Sequence, residues 1–430
     1  MKSLREFLSD TKNINFLRLW LAQFVSQFGD RIHQMALVGL VAHRFPNSAI
    51  ELAKIMAFTI LPVFIIQPFA GVYVDRWDRR KTLFVCDIIR GLLVLTIPFV
   101  FMVRESMVPI YIVVFLIFSF SRLYIPAKMS FIPELVDQEN LLIANSLMTT
   151  TGMIAFALGA SLGGFLIEKL GPRSGFIWDA LTFFLSAILV LSIDMKLHWR
   201  LNRRQFLAKS QEMIDVFRKS IFEEMREGFS YIVHHREIRL IISMLYVLLS
   251  AAGVIYVVAI VFIQQAFGSI TKDLGLMAVV LGFGLTSGAV LYGRFGRKIP
   301  WYTTIFCCLL AGGITLVIFS YIVHLYANFT MACLLAMSFG MIVGPIFLAA
   351  NTVAMQVSDQ KMRGKVFSAL EIVIHLAFLI SMLVSSWLSD HIERVWILVG
   401  VGILFSLIGI IGLIRYRKGN GLAFNVQKMA

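Results

Sequence analysis

The sequence predicts an all-α membrane protein with twelve transmembrane helices in two six-helix bundles. Three observations lead there. Hydrophobic residues fill 59% of the 430 positions and charged ones only 15%, whereas a soluble domain runs near half apolar and a quarter charged. The mean hydropathy is +0.82, which points to lipid as the main solvent. Apolar runs of the ~20 residues that cross a bilayer recur along the whole chain. Disordered, fibrous and disulfide-scaffold classes are excluded.

The expected spans, in order, are 16–42, 49–73, 82–103, 109–130, 140–168 and 174–193, then 238–266, 273–293, 299–323, 326–352, 364–389 and 393–416. The first and eleventh are the least clean, because each carries ionisable residues. Residues 1–15 are charged, and the apolar run after them is too long for a signal-peptide core, so it reads as a retained first span. Loops are short except for the polar, basic stretch after the sixth span. The domains read as 1–193, a six-helix bundle, 194–237, a cytoplasmic linker, and 238–430, a second bundle. Within the linker, Met213, Ile214, Phe217, Ile221, Phe222 and Met225 repeat at helical spacing. They predict an amphipathic helix along the membrane surface, either a tether or a regulatory element.

The net charge of +14 allows either a nucleic-acid partner or basic cytoplasmic loops. Position decides. With the amino terminus inside, only seven of the 39 Lys and Arg lie on the far side: Arg44, Lys54, Arg104, Lys169, Arg173, Lys272 and Arg394. Cytoplasmic loops collect Lys and Arg, so both termini are expected in the cytoplasm of a plasma (inner) membrane, with no nucleic acid. Cys86, Cys307, Cys308 and Cys333 sit in apolar runs without metal-type spacing and read as packing residues. No phosphate-binding loop and no nucleophile–base set is evident, so the protein is not expected to be an enzyme, nor to hold a metal or cofactor.

A weak internal repeat links the halves. Val136-Asp137-Gln138 and Ser358-Asp359-Gln360 stand 222 residues apart, and the basic segments at Asp75 and Gly293 stand 218 apart. Duplicated six-helix units are typical of carriers that expose one central site to alternate faces.

Several polar residues stand where a bilayer penalises them. Gln23, Gln27, Asp30 and Gln34 step by four, three and four along the first span, which puts them on one helical face. A charge at mid-span costs roughly 3 kcal/mol or more unless paired or wet, so this face is expected to line a cavity. Asp30 is the first candidate for proton coupling; the alternative is a salt bridge to Arg31 or Arg122. Asp87 and Arg90 are spaced to pair across one turn. Glu371 and His375 share a face four apart, as a proton relay or as a satisfied polar contact, with no third ligand to make a metal site.

The segment Gly71-Val72-Tyr73-Val74-Asp75-Arg76-Trp77-Asp78-Arg79-Arg80-Lys81 resembles motif A of the major facilitator superfamily, G-x-x-x-D-R-x-G-R-[RK], with Asp78 where Gly is usual. That resemblance implies a cytoplasmic gate built on Gly71, Asp75, Arg76, Arg79 and Arg80. The second copy has Gly293 in the place of Asp75, which predicts an asymmetric latch. The stretch from Arg122 through Pro126-Ala127-Lys128 to Pro133-Glu134-Leu135-Val136 is similar to the superfamily's macrolide-exporter-like branch and also to lysophospholipid transporters. By likeness to motif B, Arg122 would shape a proton site. Ala157-Leu158-Gly159-Ala160-Ser161-Leu162-Gly163-Gly164 partly matches motif C of drug antiporters, with Ala160 in place of Pro. Gly159, Gly163 and Gly164 also read as sites of close helix packing.

Together these readings imply a monomeric secondary transporter that exports an amphipathic small molecule by alternating access, with protons as the coupling ion. A lysolipid flippase is the alternative within the family, and a non-transporting receptor on the same scaffold is the alternative outside it. The 37 Phe and 20 Met suit an adaptable apolar cavity.

Overall fold

A computed structural model describes Phe7, Asp10 and residues 13–74, 77–103, 106–194, 236–296, 299–357 and 363–418. The described chain is helical and crosses between its two ends twelve times. The first half comprises α1 (Ile14–Arg44), α2 (Ala49–Ile65), α3 (Arg79–Val103), α4 (Val108–Leu135), α5 (Leu141–Leu170) and α6 (Pro172–Leu191). The second comprises α7 (Arg236–Phe267), α8 (Lys272–Phe295), α9 (Trp301–Tyr326), α10 (Phe329–Val357), α11 (Arg363–Leu388) and α12 (Arg394–Lys418). The linker helix expected within 194–237 falls almost wholly outside the described residues.

Among the described residues, ten helices are long and apolar enough to cross a membrane on their own composition. The other two are α1, diluted by its polar stripe, and α2, which stops at 17 residues. The expected span 49–73 is broken at Ile66 and resumes as a short helix, Gln67–Val74. Pro68 supplies the reason. It has no N–H to donate to the carbonyl of Phe64, and its ring crowds that carbonyl. The chain recovers when Ala70 N donates to Ile66 O at 3.0 Å.

The turns are chemically specified. Asn47 takes a left-handed φ of 64°, and the Ser48 hydroxyl then accepts from Glu51 N at 3.3 Å, the N-terminal half of a capping box. Asp78, the departure from motif A, has a local use. Its carboxylate accepts from Lys81 N at 3.0 Å and so caps the start of α3. Gly171, at φ 78°, ends α5 and releases the chain into α6 with Pro172 at the first helical position.

Outward faces are apolar: Phe99, Leu142, Ile188, Phe283 and Leu325 are all exposed, as a lipid-facing surface requires. Inside, the core is organised by depth. At the end carrying the α1–α2, α5–α6, α7–α8 and α11–α12 loops, one continuous apolar cluster joins helices of both halves, from Leu37, Ile55 and Phe183 to Val257, Met277 and Leu398. Toward the end carrying the termini, the described core divides. One cluster, around Phe16, Leu83 and Phe131, belongs to the first half. The other, around Leu248, Phe306 and Phe405, belongs to the second. Among the described residues the apolar core is therefore shared at one end and divided at the other.

Candidate functional site

Between the halves lies a cavity of about 320 Å³, walled by Gln34, Met56, Thr59 and Ile60 from the first half and by Leu249, Tyr256, Ile374, His375 and Phe378 from the second. Four helices meet there, α1 and α2 facing α7 and α11. The wall is mostly apolar and aromatic. The Tyr256 ring leans on Phe378 with centroids 5.8 Å apart, and its hydroxyl lies 3.7 Å from the Met56 sulfur.

Polar groups are few and tied down. Arg31 donates to Gln34 Oε1 at 2.9 Å and covers the Phe156 ring at 4.8 Å, so the amide that reaches the cavity is held by a cation. Gln67, just past the helix break, donates to Glu371 Oε2 at 3.2 Å across the two halves. The His375 Nδ1 sits 2.7 Å from the Glu371 carbonyl. A carbonyl only accepts, so Nδ1 carries the hydrogen of this bond. Glu371 and His375 thus meet through the backbone, while the carboxylate turns to Gln67. Arg122 is half-buried, with Glu371 of the opposite half as the charge acting on it.

The polar stripe of α1 does not act as one surface. Gln34 reaches the cavity, but Gln23 does not: it is buried and donates to the Met148 carbonyl on α5 at 3.2 Å. Gln27 also turns to α5, where its Oε1 lies 3.2 Å from the point a Cβ on Gly152 would occupy. Those two amides join α1 to its neighbour instead of lining a shared space. Asp30 is half-buried and forms no salt bridge with Arg31 or Arg122 among the described contacts. It lies within electrostatic reach of Arg90, Lys128 and Asp179 in its own half.

Below the cavity, the first half holds a buried polar core that the sequence only partly disclosed. Arg90 pairs with Asp87, stacks on Tyr124 and Phe183 with centroids 4.4 and 4.3 Å away, and Ser186 donates to the second Asp87 oxygen at 2.7 Å. His33 Nδ1 lies 2.9 Å from Asp179 Oδ2, both side chains fully enclosed. The sequence reading missed this pair; Asp179, an acid in the middle of an otherwise apolar sixth span, is the signal that could have found it.

The gate residues divide. Asp75 and Arg76 lie outside the described residues, and Gly71 falls on the short helix after Ile66. Arg79 reaches Glu134 at 3.4 Å, and Arg80 donates to the carbonyls of Val190 and Leu191. Both bind the start of α3 to α4 and α6 within one half. Among the glycines, Gly159 and Gly163 face α1, where added Cβ atoms would meet Arg31 Cβ at 2.6 Å and Ile32 Cα at 3.1 Å. Gly164 faces the other half, where an added Cβ would meet the Thr271 carbonyl oxygen at 2.6 Å. A contact absent from the sequence reading sits beside it. Glu168 accepts from the amides of Ile270 and Thr271 at 2.9 and 2.7 Å, capping α8 from across the halves. Arg394 closes the same end by donating to Gln265 Oε1 at 2.7 Å and to the Asn47 carbonyl at 2.5 Å. Among the described residues, no group of three His, Cys, Asp or Glu side chains is placed to hold a metal ion.

The family model described as Major Facilitator Superfamily matches residues 19–380 and 240–423. The chain belongs to that superfamily. It is 26% identical, over 96% of its own length and 95% of the other, to the uncharacterized MFS-type transporter YfiS of Bacillus subtilis (strain 168). To macrolide efflux protein A of Streptococcus pyogenes it is 22% identical, over 88% of this chain and 90% of that protein. Among solved structures, a bacterial homologue of the iron transporter ferroportin in an inward-facing state superposes with a TM-score of 0.70 at 15% identity, covering 94% of this chain and 99% of that one. This likeness concerns the fold alone. The protein is thus a multi-pass membrane transporter of the superfamily, a carrier and not an enzyme, with efflux-type relatives.

Proposed function

We propose that this transporter exports an amphipathic small molecule by alternating access, driven by proton entry through the first half. The observation that carries the reading is the division of the core. The halves share one cluster at the loop end and separate clusters toward the termini, with the cavity between them. Such a molecule can exchange its open end by rocking about the fixed site. With both termini cytoplasmic, as the Lys and Arg distribution favours, the divided end faces the cell interior, where parting the halves beyond the Gln67–Glu371 contact would load cargo for export. The name of the macrolide efflux relative supports that direction. Apolar, aromatic and Met walls with a few fixed polar groups suit an amphipath. Asp30, half-buried between the cavity residue Gln34 and the buried core, is the entry group for the proton. The Gly71–Arg80 segment then gates the cytoplasmic side.

The test is reconstitution in vesicles with an imposed pH gradient and a panel of macrolides and lipophilic cations. Gradient-driven uptake of at least one compound is expected, abolished by a protonophore and lost in Asp30→Asn. Uptake that ignores the gradient removes the coupling. Movement of fluorescent lysolipid alone replaces export with flipping.

A further inference from the structure

We infer that the His33–Asp179 pair is the seat of the transported proton, with Asp30 serving as its door. The inference rests on the proton-driven reading above and gives that proton an address. The argument is one of charge balance in an enclosed space. The ionisable groups around the pair come from every helix packed there: Asp30 and Arg31 on α1, Asp87 and Arg90 on α3, Tyr124 and Lys128 on α4, and Asp179 on α6 itself. Arg31 is directed to the cavity through Gln34 and Phe156. Asp87 is matched by Arg90, with Ser186 completing its hydrogen bonding. Half-buried Asp30 lies within electrostatic reach of Lys128, which is buried. Tyr124 is neutral as a phenol. Asp179 is left, 0% exposed, and among the described residues its close ionisable partner is His33, 2% exposed. The charge of His33 is conditional.

Counted formally, Arg90 and Lys128 stand against Asp30, Asp87 and Asp179; with Asp87 bonded to Arg90 and Asp30 half-exposed, a proton on the enclosed His33–Asp179 pair brings this set to neutrality. An uncompensated charge in such a place is strongly disfavoured, so occupancy by a proton and the packing of α1 on α6 are linked. The surroundings reinforce that link. The His33 ring packs against Phe176 and Phe118 at 5.4 and 6.1 Å. The far atoms of the pair, His33 Nε2 and Asp179 Oδ1, have no hydrogen-bond partner, and the near atoms, Nδ1 and Oδ2, approach to 2.9 Å without hydrogen-bond alignment. A side chain on Gly29 would come within 2.7 Å of Asp179 Oδ1, so α1 sits directly against the acid. The next residue after His33 on α1 is the cavity-lining Gln34, and Asp30 lies one turn before. A proton arriving at half-exposed Asp30 has one turn to travel, and its arrival changes the charge beneath the residue that meets the cargo.

The test needs no known cargo. Full-length transporter in lipid is subjected to pH-jump infrared difference spectroscopy, and the probe is the proton itself. A reversible carboxyl or imidazole signal is expected in the native protein and in Asp30→Asn. It should vanish in Asp179→Asn and shift its midpoint in His33→Gln by about one pH unit or more, a tenfold change in proton affinity. Should Asp179→Asn not fold, His33→Gln decides alone. A signal unmoved in His33→Gln, or lost in Asp30→Asn and retained in Asp179→Asn, overturns the assignment. Vesicle transport separates this from the wider reading. Cargo uptake indifferent to pH in the native protein removes the coupling, while gradient-driven uptake intact in Asp179→Asn removes the address only.

Discussion

At the scale of single residues, the buried ions of the first half behave as matched sets. Arg90 and Asp87 share a bond, two serines and two aromatic faces, so neither can leave without stranding the other. Removing one member of a buried pair costs roughly 3–5 kcal/mol, mostly through the charge left behind. Arg90→Met is therefore expected to lower folded yield and the thermal midpoint in detergent sharply, and the double change Asp87→Asn with Arg90→Met to recover part of the loss. Equal losses in the single and double variants would show that packing, not charge, holds this site. The i, i+3 spacing of the pair was readable in the chain. The cage was not, because Ser186 and Phe183 come from a helix about a hundred residues away.

At the scale of elements, the decisive contact is α5 against α8. Gly164 and Gly275 let the two backbones meet, with Gly275 facing the Ala160 carbonyl, and Glu168 caps the α8 amides across the seam. Losing a helix cap costs about 0.5–2 kcal/mol. Here that cost falls on the closed state of the loop end, since only there does the carboxylate reach α8. Glu168→Ala is expected to shift the population toward a loop-end-open form, with Glu168→Gln in between because an amide oxygen still accepts. Distance distributions between spin labels on the α5–α6 and α7–α8 loops measure it; unchanged distributions in Glu168→Ala would dismiss the latch. Small residues at 157–164 announced close packing, but nothing local distinguished Gly163, which faces α1, from Gly164, which faces the other half.

At the scale of the whole molecule, a core shared at one end and divided at the other predicts one-sided access. In a variant lacking the native cysteines, Thr59→Cys in the cavity wall should react with an impermeant thiol reagent applied from the side of the termini. It should resist the reagent from the loop side. Arg394→Ala, which frees the Asn47 carbonyl, should raise loop-side labelling severalfold. Equal labelling from both sides of the native protein would contradict the divided core.

The chain by itself determined what depends on solvation: twelve crossings, two halves, the basic loops and the motif that marks the superfamily. Each follows from moving a continuous stretch of backbone into lipid, a transaction decided within ~20 residues. Periodicity could also say that Gln23, Gln27, Asp30 and Gln34 share a face. Only the tertiary structure decided what that face meets: α5 at Gln23 and Gln27, a buried ionic core at Asp30, the cavity at Gln34. It alone brought Glu371 to Gln67, Arg122 under the influence of Glu371, and His33 to Asp179. These partners lie more than a hundred residues apart, and a helix wheel fixes the direction of a side chain without naming the helix that stands there.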